Sequence, residues 1–421
     1  MMSKLVKGLL LAVVASVPLL ASAAFAQDKV TLRLVWWGSE GRTSATLKAI
    51  EQFEARHPDI DVQAEALPFD GYMDKVSTQI AANDAPDVIQ LPIEYVSQLA
   101  SGGALLNLDA VDLEKLDAAT TRAANIDGKQ VAVASGLSAT AIVANKSLFN
   151  AANVPLPDDA TWTWDDFAAT SKAISEGSAP GVVGTQALGI DLTSFEAYLR
   201  QNGSQVYDAQ GNILIEPEDV IPYLELTKKI IKEGGSYGAE TSSEVIALQV
   251  EQTPSATNTA AMGFWASAQF TALAKASGKD LILLRLPSMT GKAGTHQMSI
   301  GVAQYWSVSS RSAHPAEAQA LLDFIVNDVD AGKTLLIVRG TPPNSDVRDA
   351  IANNLSPNDA VAANFIGTLS TEAVSAPLPP AGYGTFRDIF RRYTAQYLFG
   401  RLSAEDAANQ MIGELKNNIV Q

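Results

Sequence analysis

The sequence predicts an α/β fold divided into two lobes, on three observations. The chain has 421 residues, more than a single hydrophobic core usually supports. From Val30 onward, period-two and period-3.6 apolar patterns alternate strand, helix, strand, helix, strand, the signature of parallel crossovers. No repeat or low-complexity linker separates two independent halves, so a chain with two lobes crosses between them more than once.

Taken in order, "KVTLRLVWW" alternates through Val30, Leu32, Leu34 and Trp36, one apolar face of a strand, with Trp37 on the opposite face at its end. Leu47, Ile50 and Phe53 recur at helical spacing, and His57-Pro58 stops that helix. "DIDVQAEAL" alternates again, Tyr72, Met73, Val76 and Ile80 mark a second helix, and "DVIQL" supplies a third, more continuously apolar strand. Ligands of such sheets gather beyond the carboxyl ends of the strands, where Trp37 to Arg42 and Gln90 to Glu94 fall.

"GKQVAVASGLSATAIVANKSLF" is alternating and rich in small residues, which suits an extended strand passing between lobes. Thr163 and Asp166 form a capping-box pattern at the start of a helix. A helix ends near Gly203, a turn follows at Gln210-Gly211-Asn212, and "IPYLELTKKIIKEGG" reads as another helix. "NTAAMGFWASAQF" reads as a short strand leading into a helix, and "MSIGVAQYWSVSS" as a return strand before the helix "AEAQALLDFIVND". Phe386, Ile389, Phe390, Tyr393, Tyr397 and Leu398 line one helix face, and Ser403 with Asp406 caps the helix after it.

The first residues have the three-part layout of a secretory leader: Lys4 and Lys7, a leucine- and valine-rich run, then Ala24-Phe25-Ala26 before Gln27. Cleavage is expected there. Cysteine is absent, so the sequence offers no disulfide, no thiolate chemistry and no lipid attachment after the leader. The periplasm is the expected compartment, without a lipid anchor. Removing Lys4 and Lys7 leaves 28 basic against 46 acidic residues, a charge of −18, which disfavours nucleic acid and anionic membrane surfaces. At 47% apolar and 18% charged the composition is globular.

Catalytic and cofactor motifs are sparse. The three histidines, His57, His296 and His314, form no metal-binding pattern, and neither a P-loop nor GxGxxG occurs; no cofactor and no metal are expected. Gly234 to Gly238 spells GxSxG, but a helix precedes it where a hydrolase elbow needs a strand, so it reads as a helix stop. "NDVDAG" lacks the glycine position and final acid of a calcium loop. What remains is a set of aromatic and polar residues at segment ends: Trp37, Ser39, Glu40 and Arg42; Gln90, Glu94 and Tyr95; Asp191 and Thr193; Trp265 and Ser267; Tyr305-Trp306; and Tyr383. A sugar ring packs its C–H face on an aromatic ring and donates its hydroxyls to carboxylates and amides. Each residue alone is commonly core or a helix cap; the set carries the reading.

In order and spacing, "FEARHPDIDV", "APDVIQLP", "GKQVAVASGLSATAIVANKSLFNAANVPLP", "TWTWDDF", "LRQNGSQVYDAQGN", "TAAMGFW" and "RGTPPN" resemble extracellular solute-binding proteins of the maltose-binding type, the carbohydrate-binding subunits of ABC importers. The resemblance implies two α/β lobes joined by a multi-crossing hinge, with ligand in the cleft. It implies an N-terminal lobe of 27–137 plus about 302–345 and a C-terminal lobe of 138–301 plus about 346–421, after a leader of 1–26. It places ligand contacts at Trp37, Ser39, Glu40 and Arg42, at Gln90 and Glu94, at the first hinge with Ser138, at Asp191 and Thr193, at Trp265 and Ser267, and at Tyr383. Tyr305 and Trp306 fall near the second hinge. Partners implied are a carbohydrate and the membrane permease of an importer; a monomer without enzymatic activity is expected. Three further readings stay open: an anionic ligand, such as a glycerol phosphodiester or an acidic sugar, held by Arg42, Arg339 or Arg285; a glycoside-cleaving enzyme using two carboxylates; and a cation or polyamine binder, which the acidic charge permits.

Overall fold

The computed structural model describes residues 29–69, 71–186, 191–208, 210–245, 248–374 and 377–419. The leader read over 1–26 lies outside them. No helix among the described residues is long and apolar enough to cross a membrane.

Two sheets organise the molecule. The N-terminal part supplies β1 (Val30–Trp37), β2 (Ile60–Leu67), β3 (Val88–Leu91), a small ribbon of β4 (Asn125–Ile126) and β5 (Lys129–Gln130), and β6 (Val133–Ser138). Then come β7 (Thr140–Asn145), β8 (Val183–Thr185), β9 (Ala260–Ala266) and β10 (Leu281–Leu284), and finally β11 (Gly301–Val308). The first sheet runs β2-β1-β3-β11-β6 and the second β10-β7-β9-β8. β1 is parallel to β2 and β3, joined through the helices Glu40–Arg56 and Tyr72–Ala81, as the crossover spacing predicts. β11 is antiparallel to both β3 and β6.

The alternation in β1 does what it predicts. Leu32, Leu34 and Trp36 pack on one face with Phe53, Trp306 and Leu322, while Val35 and Trp37 pack on the other with Tyr72, Ile89 and Tyr305. Both faces of this sheet are covered, as in other largely parallel sheets. The second sheet has its own core of Phe167, Phe195, Tyr223, Phe264, Phe386 and Phe390. Thr163 and Asp166 make the reciprocal capping box, and Ser403 caps the helix Ala404–Asn418. Asp328, in the segment resembling a calcium loop, caps the helix Val329–Leu335.

The chain passes between the sheets three times: at Ala139, between β10 and β11, and after Leu335, beyond which Pro357–Leu369, Phe386–Leu398 and Ala404–Asn418 pack on cores that include second-sheet strands. Small residues make the crossings tight. Ser138 Oγ lies 3.2 Å from Ser267 Oγ, which also accepts the Ala139 N–H at 3.2 Å. Gly136 sits against the Arg339 carbonyl so closely that a Cβ there would clash with backbone, and Leu137 exchanges backbone hydrogen bonds with Thr341 at 2.6 and 2.9 Å.

Candidate functional site

On the first lobe the site begins where β1 ends. Ser39 caps the helix Glu40–Arg56, its Oγ accepting from the Arg42 N–H at 3.3 Å, and Glu40 is exposed in the first turn, a position the helix dipole favours. Gly38 has φ +154°, and a Cβ there would strike the Arg42 side chain; the loop's glycine thus lets Arg42 fold back. Arg42 Nε donates to the Val338 carbonyl at 2.9 Å and Nη1 to the Trp37 carbonyl at 3.1 Å. Burial lowers its pKa to about 10.

Gln90 is fully buried beside it, donating to the Trp37 carbonyl at 3.2 Å and accepting from Arg339 Nε at 2.8 Å. Arg339, 4% exposed, also donates to Thr46 Oγ1 at 2.9 Å and lies over the Trp306 ring, 4.9 Å from its centroid. Burial and then the neighbouring Arg42 charge hold its pKa well below the ordinary arginine value.

Several expected contacts prove to be core. Tyr305 and Trp306 are 1% and 0% exposed on opposite faces of β11, so neither presents a surface to ligand in this structure. Alternation on a strand covered on both faces buries two successive aromatics. Trp37 is 9% exposed and packs on Tyr72 at 4.9 Å and Phe69 at 5.5 Å, so most of the ring is core and only an edge is left. Ser138 and Ser267 bond each other at the hinge. Arg285 is occupied by Asp159 and Glu372 at 3.1 and 2.5 Å.

The second lobe gathers its polar groups on the helices Leu192–Gln201 and Phe386–Leu398. Asp191 caps the first through the Ser194 N–H at 2.7 Å, with Thr193 half-buried beside it. The Tyr383 hydroxyl donates to Glu196 Oε1 at 2.5 Å, and its ring meets Tyr207 edge-on at 4.8 Å. Burial raises the carboxyls of Asp191 and Glu196 above the usual range. Trp265 is half-buried, its indole N–H donating to Ser255 Oγ at 3.0 Å.

One ion pair joins these walls. Glu94, on the first lobe's helix Ile93–Ser101, accepts from Arg387 on the second lobe's helix at 2.8 Å, with side-chain exposures of 17% and 40%. Sequence reasoning included Glu94 and missed Arg387, Glu196, Tyr207 and Phe69. Signals existed for three. Phe69 follows β2 as Trp37 ends β1, and it is 56% exposed; Glu196 lies three residues beyond Thr193, and Arg387 four beyond Tyr383, both same-face helical spacings.

No group of three or more His, Asp or Glu among the described residues could hold a metal. Ser236 of the GxSxG string is buried just past a helix end, as a helix stop requires.

Two α/β lobes, a multi-crossing hinge and polar groups meeting from both sides define a two-lobed solute-binding fold. A family model described as bacterial extracellular solute-binding protein matches residues 37–331, and the chain belongs to that family. It is similar in structure to a periplasmic solute-binding protein of Pectobacterium atrosepticum, with TM-score 0.83 at 20% identity over 93% of this chain and 100% of that one. The same values hold for a periplasmic oligogalacturonide-binding protein of Yersinia enterocolitica in complex with saturated digalacturonic acid. An ABC substrate-binding protein of Listeria monocytogenes in complex with cycloalternan matches with TM-score 0.79 at 22% identity, over 93% of this chain and 99% of that one.

Proposed function

We propose that this protein captures a carbohydrate between its lobes and delivers it to the permease of an ABC importer. The observation that carries the reading is the Glu94–Arg387 bridge, which brings polar groups of both lobes to one place. A ligand favours closure only through contacts that are better in the closed form, and these need both walls. Phe69 beside the edge of Trp37 offers an apolar platform on one wall, and Asp191, Glu196 and Arg387 offer hydrogen-bonding groups on the other, the mixture a pyranose requires. Periplasmic binding proteins are among the standing examples of hinge closure.

The proposed lobes are 27–137 plus about 302–345, and 138–301 plus about 346–421. Removal of the leader at Gln27, release into the periplasm without a lipid, a monomeric state and the absence of turnover belong to the same proposal. The binding residues proposed are Ser39, Glu40, Arg42, Glu94, Asp191, Thr193, Trp265 and the edge of Trp37, with Phe69, Glu196 and Arg387 added by their positions and buried Tyr383 acting through its bond to Glu196. The test is a thermal-shift panel of mono- to tetrasaccharides on the purified mature chain, with X-ray scattering on any stabilising sugar. At 100 times its Kd a ligand adds about 2.7 kcal/mol to stability, and a smaller radius of gyration should accompany it. No shift with any carbohydrate, or a shift with no compaction, would overturn the reading.

A further inference from the structure

The two lobes treat positive charge differently. On the second lobe's wall, Arg387 is answered by Glu94 at 2.8 Å, with Asp191 and Glu196 close enough to act on it electrostatically. On the first lobe, Arg42 and Arg339 lie near enough to repel each other, yet neither has a carboxylate partner among the described residues. Their acceptors among the described residues are all neutral: the carbonyls of Trp37 and Val338, Gln90 Oε1 and Thr46 Oγ1. Buried charge is ordinarily paired, because desolvation is costly otherwise.

Donors also outnumber acceptors here. Arg339 Nη1 is buried without a hydrogen-bond partner among the described residues, and so are the indole nitrogens of Trp36 and Trp306. Trp306 pairs with Gln90 across β11 and β3, and Trp36 is two residues beyond Leu34 as Gln90 is two beyond its partner Val88, so the three form one row on one face of the sheet. Arg339 lies over that row, and its carbonyl accepts from Gln304 at 3.0 Å beside the hinge strand β6. Arg42 is half-buried and reachable by solvent, and its second terminal nitrogen has no hydrogen bond among the described residues. It therefore presents a free guanidinium edge, backed by a second cation beneath it and by the start of a long helix, where backbone N–H groups favour negative charge.

We propose that the sugar taken by this cleft is acidic, its carboxylate or other oxyanion received by Arg42 over Arg339. The proposal rests on the carbohydrate reading above and narrows its substrate class. The chain's overall negative charge is no obstacle at close range, because charges beyond about 8 Å are largely screened at physiological ionic strength. An oxyanion meets a guanidinium through two parallel hydrogen bonds, and on Arg42 it would supply the negative charge that neither cation finds among the described residues.

The test compares digalacturonic acid, neutral disaccharides and inorganic phosphate by calorimetry on the mature protein, at 50 and 500 mM NaCl. Expected is binding of the acidic disaccharide at least 30-fold tighter than any neutral one, weakening at high salt, with phosphate alone weaker still. Arg42→Gln should weaken binding of the acidic sugar at least ten times more than it weakens binding of neutral ones. Neutral sugars binding as tightly as acidic ones, or Arg42→Gln weakening both alike, would overturn this inference and leave sugar capture standing. Phosphate binding more tightly than every sugar would overturn it by making the pair a simple ion site. Binding of none of the three kinds would count against sugar capture itself.

Discussion

Glu94 and Arg387 are 293 residues apart in sequence and 2.8 Å apart in space, joining a helix of one lobe to a helix of the other. Because the pair lies between lobes, its loss should alter their relative motion more than the stability of either. Glu94→Gln is expected to change unfolding by no more than about 1 kcal/mol, typical for a partly exposed ion pair, while widening the distribution of interlobe distances. Double electron–electron resonance between one spin label on each lobe would read this; an unchanged distribution would count against a bridging role.

Among the described residues Phe69 is the most exposed large apolar side chain, and it borders Trp37. Phe69→Ala should leave stability within about 0.5 kcal/mol and weaken sugar binding about fivefold, in line with an aromatic contact of roughly 1 kcal/mol. Equal affinity for both forms would remove Phe69 from the binding wall.

Trp36 and Trp37 differ less than strand alternation alone suggests. Trp36→Ala should cost about 3–5 kcal/mol, since the ring is wholly enclosed. Trp37→Ala should also destabilise, because most of its ring is packed on Tyr72, and should weaken ligand binding through the exposed edge. Chemical unfolding and calorimetry on the two variants separate these effects.

Glu196 carries a sign that can be checked. Its ordinary value is 4.5, and burial raises it in the folded protein, so the folded state holds this proton more tightly than the unfolded chain. The resulting contribution to stability is fully present below 4.5 and is lost as pH rises through the raised value. Glu196→Gln has no such proton, so its stability relative to wild type should improve as pH rises above 4.5 in urea titrations. A flat difference would show the carboxyl to be unperturbed.

Gly136 lies against the Arg339 carbonyl with no room for a Cβ. Gly136→Ala should cost about 2 kcal/mol or more through backbone displacement, whereas Gly413→Ala, with open space around it in a helix, should be neutral or stabilising by up to about 1 kcal/mol. Thermal unfolding of the two variants makes the comparison.

Much of the fold was legible because it rests on local periodicity and capping. Leu32, Leu34 and Trp36 announce the buried face of β1, and Thr163 with Asp166 announces a helix start. The site was legible only as a set of segment ends. Tyr305 and Trp306 look like binding aromatics in sequence, since a two-residue period does not say whether the second face of a strand meets solvent or another core. Arg42 and Arg339 are alike in sequence as candidate holders of an anion, and only the tertiary fold shows that neither forms a salt bridge with a carboxylate among the described residues. The pairing of Arg387 with Glu94 was not legible, because the two lie 293 residues apart; local spacing from Tyr383 could mark the face of Arg387 but not its partner.

The order of the first sheet has a consequence for how the molecule is made. β11 lies between β3 and β6, so residues near the start and middle of the chain meet in the sheet only through a strand that begins at Gly301. The early segments can form helices and the β1–β2–β3 unit, but β6 has no neighbour in that sheet until β11 is in place. Non-local pairing of this kind slows folding because loop closure precedes the contacts that reward it. Completion of the first lobe is therefore tied to arrival of the later chain, leaving an interval in which the emerging polypeptide is still loose.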